Sequence, residues 1–176
     1  MAMPTLLIVV CGLSGTERSP LAIGLAQALD AVYLRIDTIE RAFTGPTTPR
    51  DATEATACSV AHAVAEDNLR LGRVVVVDGM DSVASTRFAW KSVSQRIGVP
   101  VFEVELVRTD ENERRARVAH SDRNLDARTV VASDDILTIR DEPWCKRIAI
   151  DAAQRPLAES VTVVHALLLA HARLWR

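Results

Sequence analysis

The chain has 176 residues, 48% of them hydrophobic and 25% charged, with a formal net charge of −2. That is the make-up of one globular domain able to bury a core, and near-neutral charge argues against a dedicated nucleic-acid binder. Cys11, Cys58 and Cys145 are widely spaced and form no C-x-x-C pair, which argues against a disulfide framework or zinc site and for a reducing cytoplasm.

Residues 5–10 read T-L-L-I-V-V, a short apolar run suited to a buried strand. It is too short to span a membrane and no basic segment precedes it, so neither an anchor nor a signal peptide is expected. Cys11, Gly12, Leu13, Ser14, Gly15, Thr16, Glu17, Arg18, Ser19 and Pro20 follow, and residues 21–29 carry a helical pattern. Strand, glycine-containing turn and helix in that order are the setting a phosphate-binding loop requires.

Residues 32–36 suit a second strand, ended by Asp37, with a helical turn or two over 38–43. Gly45, Pro46 and Pro49 make 44–50 a loop. Asp51 and Glu54 have capping-box spacing and open a long predicted helix that runs to Leu71 and stops at Gly72. Val74, Val75, Val76 and Val77 are β-branched with no polar face, as in a strand covered on both sides, and Asp78 ends the run. A helix over 83–97, closed by Gly98 and Pro100, leads to a fourth strand over 101–107. Asp110 and Glu113 again have capping-box spacing, before Arg114, Arg115 and Arg117. Residues 121–128 are polar and read as a mobile connection. A short helix is predicted over 133–140, a fifth strand over 148–150 and an amphipathic helix over 157–175.

Strands alternating with helices imply an open parallel sheet with helices on both faces. Ligands bind such sheets beyond the carboxyl ends of the strands. Cys11, Asp37 and Asp78 each follow a predicted strand, so the loop and both carboxylates should share one crevice.

The chain resembles a P-loop kinase of the small predicted-kinase group related to polynucleotide kinase and chloramphenicol phosphotransferase. The marks are G-L-S-G-T-E-R-S from Gly12, I-D-T-I-E-R from Ile36, V-V-V-V-D-G ending at Gly79, E-R-R-A-R-V-A from Glu113, and Glu142, Pro143 and Trp144 before I-A-I-D. The resemblance covers nearly the whole length. It implies a three-layer α/β/α P-loop kinase fold with a five-stranded parallel sheet, one domain over 1–176, and a lid-like segment near 114–128.

It also implies roles. Gly12 through Ser19 would bind the phosphates of ATP, Arg18 standing where such loops carry lysine. Ser19 and Asp78 would hold Mg²⁺. Asp37 would accept the proton of a substrate hydroxyl, and Arg115 and Arg117 would stabilise charge on the transferred phosphoryl group. The partners implied are a nucleotide and a small-molecule acceptor, with no membrane; the oligomeric state stays open.

Two residues depart from the loop pattern. Glu17 replaces the glycine that lets backbone approach phosphate, adding a like charge that at ~4 Å and an effective dielectric of about 20 would cost on the order of 4 kcal/mol. Pro20 removes an N–H donor. The residues therefore also admit a degenerate domain that binds or regulates without catalysis.

Simpler roles stand beside these. Asp37 would serve equally as a helix N-cap, and Asp78 as a cap or turn residue. The arginines of 114–123 would also suit a solvated helix face. Arg87 reads as a solvated helix position. Trp144 reads as core, and His62, His165 and His171 receive no chemistry.

Overall fold

The first strand is buried on both of its faces, and that sets the layers. The computed structural model describes residues 4–12, 17–44, 50–79, 84–107, 112, 146–151 and 156–172. Strand β1 (Leu7–Gly12) pairs in parallel with two neighbours, β3 (Val75–Asp78) and β4 (Val101–Val107). Side chains on a strand point alternately to opposite faces. Leu6, Ile8 and Val10 accordingly join one buried cluster, and Leu7 and Val9 join another.

Helix α1 (Arg18–Leu29) covers the first face through Leu21, Ala22 and Leu25. Helix α5 (Leu157–Ala172) packs beside it through Val164 and Leu168. The second face is covered by α3 (Arg50–Arg70), with Ala57, Ala61, Ala65 and Leu69, and by α4 (Ala84–Ile97), with Trp90 and Val93. Small residues every fourth place on α3 let that helix lie close to the sheet. Burying each Val or Leu of these clusters contributes roughly 1.5–3 kcal/mol.

Strand β2 (Val32–Arg35) is followed at once by α2 (Ile36–Phe43), and β5 (Lys146–Asp151) pairs with β4. The sheet order is β2-β3-β1-β4-β5, and every pairing is parallel. This is the expected α/β architecture with five parallel strands. Because every pairing is parallel, the carboxyl ends all lie on one edge of the sheet, and the order makes those of β2, β3 and β1 neighbours there. That edge holds the loop after β1, the end of β3 and the start of α2.

Helix ends follow their local chemistry. At the end of α3 the chain turns at Gly72 with φ +79, and Gly72 N–H and Arg73 N–H close on the carbonyls of Leu69 and Asn68. That is a left-handed termination glycine adopts without strain. Close packing explains another glycine. A Cβ on Gly24 would sit 2.6 Å from Val161 Cγ2, so the absence of a side chain there lets α1 and α5 cross.

Several predicted boundaries move. Helix α1 begins at Arg18, three residues before the expected Leu21, because Pro20 sits in the first turn, where a missing N–H breaks no intrahelical bond. Helix α3 already includes Arg50, so Asp51 lies inside it and is not the cap its spacing suggested. The helices predicted after Asp110 and over 133–140, the connection 121–128 and the lid 114–128 fall outside the described residues, Asn112 apart.

Candidate functional site

Two backbone features survive at the loop after β1. Gly12 has φ 153 and Glu17 has φ 61 with ψ 28. Glu17 thus holds the left-handed conformation that glycine adopts freely and a side-chained residue adopts at a cost of roughly 1–2 kcal/mol. Its carbonyl accepts the Leu21 N–H at 3.2 Å, closing the first turn of α1. The loop therefore enters α1 as a glycine there would, although the residue is glutamate. Leu13, Ser14, Gly15 and Thr16 lie outside the described residues.

Arg18 and Ser19 are the first two residues of α1, where free N–H groups and the helix dipole favour an anion. Arg18 turns toward the sheet. Its Nε donates to Asp78 Oδ1 at 2.7 Å, and its Nη2 lies 3.6 Å from Asp37 Oδ2. The structure thus brings Arg18, Asp37 and Asp78 together. Asp37 is not a helix cap: Arg35 is the residue that precedes α2, and Asp37 stands in the helix's first turn.

Two further residues complete the cluster, and sequence reasoning missed both. Arg35 ends β2 in register with Asp78. Its Nη2 donates to Asp37 Oδ2 at 3.5 Å, and its Nε lies 3.7 Å from Asp78 Oδ2. Tyr33, two residues earlier on the same face, donates its phenol hydrogen to Asp78 Oδ2 at 2.8 Å. Burial first, and then this bond to a carboxylate, push the Tyr33 phenol above its ordinary range. The two arginines and two aspartates form a closed ring in which each carboxylate faces both guanidiniums. The ring is graded in exposure: Asp78 is 0% exposed and Arg18 10%, while Asp37 is 27% and Arg35 35%. The alternation of Tyr33 and Arg35 along β2 was visible in the sequence, but their target depends on which strand lies beside β2.

Asp78 does not fit a directly bound Mg²⁺ in this arrangement. Its side chain has no exposed surface, and its two oxygens already accept from Arg18 and Tyr33. Among the described residues no three His, Cys, Asp or Glu side chains cluster as a metal site would require.

A second charged cluster lies behind β1 on the α4 side. Arg87 Nη2 pairs with Glu103 Oε1 at 3.0 Å, both side chains 6% exposed. Cys11 donates its thiol hydrogen to the same oxygen at 3.3 Å. Burial, followed by the Glu103 charge, holds the Cys11 thiol well above its ordinary range. The expectation of a solvated Arg87 is corrected here. Glu103 occupies a core-facing position of β4, and a buried carboxylate requires a buried cation opposite. Cys11 lies within β1 rather than after it.

Arg114, Arg115, Arg117 and Arg123 lie outside the described residues, as do Cys145, Pro143 and Trp144. His62 joins the packing of the α3–α4 layer, with its ring meeting Trp90 edge-on at a centroid distance of 4.2 Å and 75°. No helix among the described residues is long and apolar enough to cross a membrane.

With the fold and the cluster in place, comparison with known proteins decides the family. The model of a family described as AAA domain matches residues 7–142. The chain belongs to the AAA domain family. The AAA domain match spans β1 through β4, and with them the loop and the whole charge ring.

Solved structures agree on the fold. A gluconokinase from Sinorhizobium meliloti 1021 is 21% identical, with 98% of this chain and 96% of that chain covered and a TM-score of 0.67. A sugar kinase from Janibacter sp. HTCC2649 is 17% identical, with 96% of both chains covered and a TM-score of 0.68. The APS kinase of Mycobacterium tuberculosis, solved with AMPPNP and APS, is 20% identical, with 96% and 99% covered and a TM-score of 0.61. At these identities the likeness is one of fold, and the fold is that of P-loop kinases. No curated protein matches the sequence.

Proposed function

We propose that the chain binds a nucleoside triphosphate, ATP, by its phosphates and transfers the terminal phosphoryl group to a hydroxyl of a small molecule or nucleotide. The observation that carries this reading is the meeting of Arg18 Nη2 and Asp37 Oδ2 at 3.6 Å beside the N-terminus of α1. A cation suited to phosphate and a carboxylate suited to a hydroxyl proton share one partly exposed place. The P-loop kinase fold of the structural neighbours supports it.

In this reading the residues from Gly12 to Ser19 cradle the β- and γ-phosphates, and Arg18 neutralises them. The acceptor oxygen attacks the γ-phosphorus while the bond from that phosphorus to the bridging oxygen breaks. ADP leaves with the bridging oxygen, and the acceptor's proton passes to Asp37. Mg²⁺, which in such reactions offsets charge on the phosphates, would find its protein ligand in the Ser19 hydroxyl. Asp78 serves here as the counter-ion that holds Arg18 in the free protein. Arg115 and Arg117 remain the proposed lid cations.

The test is ATP turnover with a panel of hydroxyl acceptors, comparing the natural chain with Asp37→Asn. Transfer should be seen in the natural chain and fall at least a hundredfold in the variant, with ATP still bound. Equal turnover in both would remove Asp37 from the reaction.

A second reading, binding without catalysis, is favoured by one specific observation. Glu17, an acid, holds the backbone angle of a glycine directly before α1, at the position where the resemblance expects glycine. This reading expects no stabilisation by Mg-ATP, and a clear thermal shift with ATP would count against it.

A further inference from the structure

The charge ring has an arrangement that neither the loop nor the base explains. Both acceptors of Arg18 are shared with Arg35: Asp78 lies 2.7 Å from Arg18 and 3.7 Å from Arg35, and Asp37 lies 3.6 Å from Arg18 and 3.5 Å from Arg35. Arg35 Nε is itself buried and makes no hydrogen bond. It faces Asp78 Oδ2 from just beyond bonding distance. Arg18 Nη2 is turned to Asp37, and because the guanidinium is one rigid planar fork, redirecting Nη2 to a phosphate rotates Nε away from Asp78 as well. Were Arg18 to leave alone, a carboxylate with no exposed surface would lose its nearest cation, and an unpaired buried charge is strongly disfavoured.

We infer that Arg35 is the positioning residue that takes over Asp78 and Asp37 when Arg18 turns to the phosphates. A movement of less than an ångström brings Arg35 Nε within hydrogen-bond range of Asp78 Oδ2, while Tyr33 keeps its own bond to that oxygen. Because Arg35 already faces both carboxylates, the exchange strands neither. Arg35 then governs how readily Arg18 is released, although it never touches the nucleotide. The residue after next, Asp37, feels the same exchange: its Arg18 contact opens and its Arg35 contact stays. The inference rests on the nucleotide-binding reading above.

The test is calorimetric titration with ATP of the natural chain, Arg35→Gln, Arg35→Lys, Asp78→Asn and the Arg35→Gln/Asp78→Asn double variant, with thermal unfolding of each free protein. Arg35→Gln should weaken ATP binding at least tenfold and leave the free protein's midpoint nearly unmoved, since the half-exposed Arg35 is the weaker partner of Asp78. Arg35→Lys should recover most of the loss. In the Asp78→Asn background the same Arg35→Gln change should alter affinity less than twofold, because only the longer contact to the partly exposed Asp37 then holds Arg18 back.

Unchanged ATP binding in Arg35→Gln would overturn the inference and leave the nucleotide reading intact. An equal loss in both backgrounds would also overturn it, since Arg35 would then be touching phosphate directly. Absence of ATP binding by the natural chain would overturn both. Should Asp78→Asn fail to fold, the natural chain supplies a second measurement. On addition of ATP the Arg35 Nε–H resonance in a ¹⁵N–¹H spectrum should shift downfield as it gains Asp78, and a stationary resonance in the ATP-bound protein would contradict the exchange.

Discussion

Arg18 Nε and Asp78 Oδ1 lie 2.7 Å apart at the end of a strand whose residues are all buried. The residue expected to meet phosphate is thus held by the residue expected to meet metal. The pair exists because β3 and β1 are neighbours and α1 is the next element after β1, which brings the first residue of the helix to the last of β3.

Removing the Asp78 charge should therefore cost stability before it costs anything else. Asp78→Asn leaves Arg18 without its closest counter-charge, and breaking a buried pair costs about 3–5 kcal/mol. At about 2–4 °C per kcal/mol for a chain of this size, the thermal midpoint should fall by roughly 10 °C. A midpoint within about 2 °C of the natural chain would mean that solvent already screens the pair.

Glu17 offers an opposite change. Glu17→Gly removes both a left-handed side-chained residue, worth roughly 1–2 kcal/mol, and an acid before the N-terminus of α1. Glu17→Ala removes only the acid. The glycine variant should melt about 2–8 °C higher and bind ATP at least tenfold more tightly, whereas the alanine variant should gain affinity without the rise in midpoint. Loss of stability in the glycine variant would show that the Glu17 side chain holds the loop.

The crossing of α1 and α5 gives a prediction independent of the site. Gly24→Ala puts a methyl 2.6 Å from Val161 Cγ2, and such overpacking costs typically about 1–3 kcal/mol. Val161→Ala in the same chain should recover most of that loss. If Gly24→Ala is neutral by denaturant unfolding, the two helices lie further apart than described.

His62 sets a dependence on pH. Burial first, then the nearby Arg96 charge, holds its imidazole below the ordinary value of 6.5, against an opposing pull from Glu66. Its Nε2 is buried with no hydrogen-bond partner. The folded state therefore keeps His62 neutral while the unfolded chain takes up a proton. Stability should be full above about pH 6.5 and fall as pH drops below it, until the lowered folded value is reached. Glu66 acts in a separate window. Its hydrogen bond from Arg96 holds its carboxyl below the usual 4.5, so its contribution is lost only at more acid pH. Unfolding of the natural chain and of His62→Phe between about pH 5.5 and 7.5 should give a shallower slope in the variant. Equal slopes would place His62 in contact with water.

Much of this fold was legible in the residues. The all-valine run of β3, the glycine stops after α3 and α4, and the apolar stretch of β4 each carry one local signal with one reading. The candidate site was legible only in part. Gly12, Arg18, Asp37 and Asp78 stood at strand ends, where position alone marks them. Arg35 was missed because the predicted strand ran on to Ile36 and left it inside an apolar stretch, and its meaning depends on β2 lying beside β3 rather than beside β1. Arg87 was misread for a related reason. A helix position facing a carboxylate inside the sheet looks, in sequence, like one facing water, and Glu103 in an otherwise apolar strand was the signal that would have told them apart.

The central claim is that phosphate meets Arg18 at the head of α1. Titration of the natural chain and of Arg18→Ala with ATP, followed by heat, tests it most directly. Saturable binding in the natural chain, weakened at least a hundredfold in Arg18→Ala, is the predicted result. No heat of binding in the natural chain, or the same affinity in both proteins, would contradict it.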